Sequence, residues 1–303
     1  MGDRVIEPAG RTALADRRIP AAHPFAAHLR RAAAEQLTSP HRAWTPEDGA
    51  LPALYLSHGA PMLFEMTDWM TELHTWARAL PRPRGIVIVS AHWESAPLSL
   101  SSSTPDELVY DFGGFDPMYY LMRYDTPPAT ELARAVTALM PDSEHVHEHA
   151  SRGLDHGAWV PLKIMYPEAD IPVLQVSMPT HDPDRLMALG RRLAALRRDG
   201  VLVVGSGYMT HGLPFIDWHD PSHVPGWSAD FDLWAAEALG RGDVDELAAF
   251  RAHAPGMPYA HPTVEHFTPL FVTLGAADDA TAAPRTRIDG YALGLAKRSI
   301  EVD

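Results

Sequence analysis

Apolar residues in this chain fall into short dense runs separated by Gly, Pro and polar turns. Positions 53–57, 85–91, 171–176 and 201–204 are almost continuously apolar and rich in β-branched residues. That pattern predicts strands buried on both faces, as in a parallel sheet. Between them the period changes. Trp69, Leu73, Trp76 and Leu80 recur at helical spacing, with His74 off that face and expected in solvent. Leu132, Ala135, Val136, Leu139 and Met140 mark another helix. Asp182-Pro183 opens one as cap and first turn, Leu186, Leu189, Leu193 and Leu196 line it, and Gly200 ends it. Helices are also expected around 231–239 and 244–253, and after 261–270. A further strand is expected at 98–102 and a closing strand at 288–300. Strands alternating with helices predict an α/β fold. No repeat or linker interrupts 51–303, which reads as a single catalytic α/β domain. Residues 1–50 read as an N-terminal extension that wraps the domain or is partly disordered, with one amphipathic helix over 23–37 (Phe25, Leu29, Ala33, Leu37).

Composition narrows the chemistry. The 303 residues are 46% hydrophobic, enough for a full core without staples. There is no cysteine, which removes disulfides, thiolate metal sites, iron–sulfur clusters and thiol nucleophiles together. A transition metal would have to be held by His and carboxylates. A net charge of −14 argues against nucleic acid or an anionic membrane as partner. No apolar run reaches the length of a membrane span, and the N-terminus lacks the apolar core of a secretory signal. A cytoplasmic enzyme is expected, as monomer or homo-oligomer.

Seventeen histidines are many for this length, and several stand where strands stop. His58 follows 53–57 into Gly59-Ala60-Pro61; His92 follows 85–91; His211 follows 201–204 after Gly205-Ser206-Gly207. Ligands of open α/β sheets bind at such strand ends. Neighbouring strands lie about 4.8 Å apart, so adjacency alone would let these imidazoles meet. His156 begins a helix after a long loop, and Glu265-His266 precedes the last core helix. One histidine after one strand is more often a hydrogen-bonded turn residue; three at corresponding places make a Zn or Fe(II) site about as expected as that reading. His145, His147, His149, His219, His223, His253 and His261 read as structural or surface groups. The loop around Phe112-Gly113-Gly114-Phe115 suits either a tight turn or the wall of an aromatic pocket.

In order and spacing, LPALYLSHGAP, VIVSAHWE, DFGGFDPMYY, GLDHGAWVPLKIMYPEADIPVLQVS, GSGYMTHGL and HPTVEHFTPL resemble the class III extradiol ring-cleaving dioxygenases, in their 4,5-DOPA dioxygenase-like branch. The resemblance spans about 51–274 and leaves out the first fifty residues. It implies a three-layer α/β/α fold around a mostly parallel or mixed sheet. It implies a mononuclear non-haem metal on His58, His92 and His266, with His211 a fourth ligand or an acid–base group, and His156 a second proton-handling group. More distant members use a glutamate ligand, and Glu265 stands beside His266; the branch resembled uses the histidine. The expected reaction is O2 insertion into a catechol, DOPA-like or related, opening the ring to a yellow muconic semialdehyde. Fe(II) is expected for turnover because d¹⁰ zinc cannot relay electrons to dioxygen, and Zn(II) would be an occupant of the isolated protein. Phe112, Phe115 and Tyr120 are expected to wall the ring pocket. The rival readings are a zinc-dependent hydrolase using activated water, and a non-enzymatic interaction protein on the same fold.

Overall fold

The computed structural model describes residues 16–303. Its centre is an eight-stranded mixed sheet in the order β4-β3-β5-β2-β6-β1-β10-β7. The four middle strands, β5 (Val173–Met178), β2 (Gly85–Glu94), β6 (Val201–Gly207) and β1 (Ala53–Ser57), run parallel. Outside them lie β3 (Ser99–Leu100) and β4 (His147–Glu148) on one edge, and β10 (Ser299–Val302) and β7 (Arg285–Ile288) on the other. β3 is antiparallel to β5, and β10 to β1.

The alternation along each middle strand sends side chains to two separate cores. Tyr55, Val87, Val89, Leu174 and Val203 enter one, where helices α3 (Thr130–Leu139), α5 (Pro183–Arg197), α6 (Gly226–Arg241) and α10 (Pro269–Ala276) cover the sheet. Leu54, Leu56, Ile86, Ile88 and Val204 enter the other, beneath α1 (Pro24–Thr38), α2 (Thr67–Ala79) and α4 (His156–Met165). The short helices α7 (Val244–Ala248), α8 (Phe250–His253) and α9 (Met257–Ala260) follow α6. This is the three-layer α/β/α arrangement expected. Among the described residues no helix is long and apolar enough to cross a membrane.

Three details differ from the sequence reading. The C-terminal stretch is not one strand over 288–300: β7 is followed by a hairpin of β8 (Tyr291–Ala292) and β9 (Leu295–Ala296), and the closing strand is β10. Gly290 and Gly294, at φ 84° and 76°, make the reversals possible. The helix expected over 244–253 is two short ones, α7 and α8. His74 is buried, not solvated: its Nε2 lies 3.0 Å from Glu35 Oε2 on α1, and its ring meets His28 edge-on at 5.2 Å. The helix α1 packs against α2 at His74, which is buried as well as the apolar face. Of the N-terminal extension, residues 1–15 lie outside the described part.

His28 sets a pH response for this layer. Burial, then the neighbouring His74, push its pKa down to about 4, while its Nε2 stays 3.1 Å from the Ile164 carbonyl. The unfolded imidazole takes a proton near pH 6.5, before the folded one does. Stability is therefore whole above about pH 6.5 and is lost as the pH falls toward about 4, by on the order of 3 kcal/mol from this group. Urea midpoints measured between these pH values should fall less steeply in His28→Gln than in the parent chain; equal slopes would rule His28 out as the cause.

Candidate metal centre

Three strand ends and one helix start converge at the C-terminal rim of the parallel strands. β6 lies between β1 and β2, so the chain leaving each is within reach of the others. His58 is tied there by its own N–H, which donates to the Gly207 carbonyl at 3.0 Å. His92 lies beyond a register shift in β2, where the strand runs on past Val89. Its N–H donates to Ser90 Oγ (3.2 Å), and Ser90 donates to the buried Asp155 carboxylate (2.8 Å). His266 is held by its carbonyl, which accepts from Tyr208 N–H at 2.8 Å and Tyr55 Oη at 3.0 Å.

The three imidazoles point the same nitrogen inward. His58 Nε2 lies 3.0 Å from His92 Nε2, which lies 3.2 Å from His266 Nε2. Nitrogens that share an ion at about 2.0–2.1 Å are roughly 3 Å apart, so these spacings fit one metal. The outward nitrogens show which tautomer is present. Ser206 Oγ donates to the Gly157 carbonyl at 2.5 Å, so at 3.0 Å from His58 Nδ1 it must accept the Nδ1 proton. Glu265 Oε1, 2.9 Å from His266 Nδ1, can only accept as a carboxylate. Asp111 Oδ2 stands 3.5 Å from His92 Nδ1. With Nδ1 carrying the proton, each Nε2 presents a lone pair inward, as metal-binding histidines do.

Electrostatics agree. Burial, then like neighbours, hold His58 and His266 well below the ordinary imidazole pKa. Burial and the facing His156 push His92 down to about 3. Neutral imidazole is the ligand form, so this cluster needs no proton loss at neutral pH to accept a cation.

Two more histidines flank the three. His156 begins α4, and both its N–H and its Nδ1 are held by Asp111 Oδ1, at 3.1 and 2.7 Å. Its ring lies 3.9 Å from that of His92, and a nitrogen from each of His58, His92 and His156 falls within 4.8 Å of the others. His211 lies flat on His266, ring centroids 3.4 Å apart at 13°, and burial pushes its pKa down to about 3. Glu265 is within 4.8 Å of His211 and His266 as a possible ligand, but its carboxylate is the partner of the outward face of His266.

Four of these histidines face a cavity of about 670 Å³. His58, His92, His156 and His211 line it together with Phe112, Phe115, Trp69 and Tyr208. Tyr120 does not line it: it stacks behind Phe112 at 4.9 Å and donates to the Phe112 carbonyl at 3.3 Å. His147, His219, His223 and His253 are exposed, away from the centre. His261 is buried against Phe231 and lies 2.9 Å from the Met209 carbonyl.

Sequence reasoning passed over Asp111, Ser206 and Gly157. Asp111 sat in view, inside the aromatic glycine loop before Phe112, and an acid there could have been paired with His156. Ser206 and Gly157 carried no signal, because their part depends on distant chain. Ser206→Ala should leave His58 Nδ1 without its acceptor and weaken metal binding about 10–100-fold. Titration of the purified variant with Fe(II) under nitrogen checks this, and an unchanged affinity would remove Ser206 from the account.

The family described as the catalytic LigB subunit of aromatic ring-opening dioxygenase matches residues 52–293. A protein of Beta vulgaris named 4,5-DOPA dioxygenase extradiol is 38% identical over 247 residues, 78% of this chain and 91% of that one. The protein of the same name from Escherichia coli K12 is 35% identical, over 75% of this chain and 86% of its own length. The crystal structure of an uncharacterized Escherichia coli K12 protein superposes with a TM-score of 0.71 at 32% identity, covering 84% of this chain and all of that one.

Proposed function

Given that the chain belongs to the LigB family of aromatic ring-opening dioxygenases, we propose that it cleaves a catechol outside its two hydroxyls, using one Fe(II) held by His58, His92 and His266. The observation that carries this reading is the inward convergence of three Nε2 atoms, 3.0 and 3.2 Å apart, beside an aromatic-walled cavity that His58 and His92 line. When bound, such an ion lowers the pKa of the catechol oxygens and carries electrons between ring and dioxygen, which zinc cannot do.

The chain's own groups supply the rest. With Nδ1–H donated to Asp111, His156 keeps its Nε2 lone pair for a catechol hydroxyl proton. Burial opposes the charge of Asp111, but the hydrogen bonds it accepts from His156 help hold its carboxyl below the usual range. His211, neutral and beside His266, is placed to take up a proton and return it during oxygen–oxygen cleavage. Phe112 and Phe115 offer flat apolar faces to the ring and keep water from it.

The test is anaerobic loading with Fe(II), then catechol and air. One O2 consumed per ring and a yellow product are expected, with the zinc-loaded protein inactive. Colourless incubation without oxygen uptake would refute the reading, and ester turnover by the zinc form would favour a hydrolase. His156→Ala should keep its iron while kcat falls about 10²–10⁴-fold. Loss of iron from that variant would make His156 a ligand instead.

A further inference from the structure

We propose that the catechol this cavity accepts carries a neutral, apolar substituent and not a charged amino-acid side chain, because the described residues that wall it away from the histidines are mostly apolar and include no Arg or Lys. The proposal rests on the catechol-cleaving reading above and narrows its substrate class.

The cavity, at about 670 Å³, falls in the range that buries most of a drug-sized ligand, and a single aromatic ring would leave much of it empty. Its charged or ionisable groups are the histidines, Asp111 and the Tyr208 hydroxyl, and Trp69 and Trp218 add indole N–H donors. The wall away from the histidines is carried largely by Met62, Met66, Trp69, Leu213, Ile216 and Trp218. Among the described residues that line it there is no Arg or Lys.

Nearby charges are already engaged. Lys297 lies behind Trp69, its Nζ 5.6 Å from that ring, buried and ion-paired with Glu72. Asp111 spends Oδ1 on His156 and turns Oδ2 to His92. A DOPA carboxylate would therefore leave water without a cationic partner, near Asp111, in a chain of net charge −14. A DOPA ammonium would have to draw Asp111 away from the imidazoles it orients. An alkyl or aryl substituent loses nothing on entry and covers the apolar surface at the mouth, where Leu213 is 49% and Trp218 64% exposed.

The test compares 3-(3,4-dihydroxyphenyl)propanoate with its methyl ester, alongside 4-phenylcatechol, dopamine and DOPA, on the Fe(II)-loaded protein. The ester and the phenyl compound should exceed the acid and DOPA by about a hundredfold or more in kcat/KM. Equal or better turnover of the acid, DOPA or dopamine would overturn the proposal. Leu213→Arg, which sets a cation at the exposed mouth, should raise turnover of the acid and lower that of the ester; no change in their ratio would count against it. The same compounds are also titrated into the metal-free protein, following the fluorescence of Trp69 and Trp218. If no catechol is cleaved, the function reading fails, and this binding order still decides the substituent: tighter ester binding upholds the inference, and equal or tighter acid binding overturns it.

Discussion

His92→Ala is expected to abolish iron retention and ring cleavage together. Its Nε2 is the middle one of the three, 3.0 Å from His58 and 3.2 Å from His266, so its loss leaves the other two without the nitrogen both approach. A bound ion contributes several kcal/mol of charge stabilisation, and losing about 4 kcal/mol is roughly a thousandfold in rate. Fold stability should hardly change, because the His92 side chain is partly exposed at the cavity and holds no strand together. Iron content after desalting, read beside the melting temperature, separates the two effects. His145→Ala, on the exposed surface, is the control and should bind one iron per chain. If His92→Ala also bound one iron per chain, the three-nitrogen centre would be wrong.

Gly157→Ala is expected to damage the same centre without removing any ligand. In a helix interior the change from Gly to Ala stabilises by up to about 1 kcal/mol. Here the added methyl would sit 2.4 Å from Ser90 Oγ, 2.9 Å from His92 Cδ2 and 3.2 Å from His58 Cε1. These are atoms of a packed floor, and overfilling such a place costs about 1–3 kcal/mol. The clash outweighs the propensity gain, and what yields is the pair of imidazoles above. Metal affinity should fall at least tenfold, while far-ultraviolet circular dichroism keeps the helix signal. A variant that binds iron as the parent does would show that the floor can relax without moving His58 and His92.

How much of this could be read beforehand differs element by element. The strands at 53–57 and 201–204 were legible because a strand buried on both faces is apolar at every position, a property of the chain itself. The same holds for Leu186, Leu189, Leu193 and Leu196, whose spacing is that of one helix face. His58, His92, His156, His211 and His266 stood out because each follows a strand or precedes a helix. The side chosen for His74 was wrong for a plain reason. Periodicity shows that α2 has an apolar face, but nothing in those residues tells whether α1, thirty residues earlier, will pack against His74. Tyr120 shares the aromatic loop with Phe112, yet it lies behind that ring and not on the cavity, since backbone turns set which ring faces inward.

By itself, then, the sequence determined the α/β alternation of buried strands and helices, the absence of any thiol, and which imidazoles were candidates, while the three layers came only from the family resemblance. The former follow from local periodicity and residue type, which do not depend on distant contacts. Only the tertiary structure decided that Ser206 and Glu265 take the outward protons of His58 and His266, that Asp111 serves both His92 and His156, and that no cation of the described chain faces the cavity. Apart from the neighbouring Glu265 and His266, these are distances of a few ångströms between residues some tens to more than a hundred positions apart. No local pattern encodes them, because each is settled by where the sheet puts the ends of strands that are far apart in the chain.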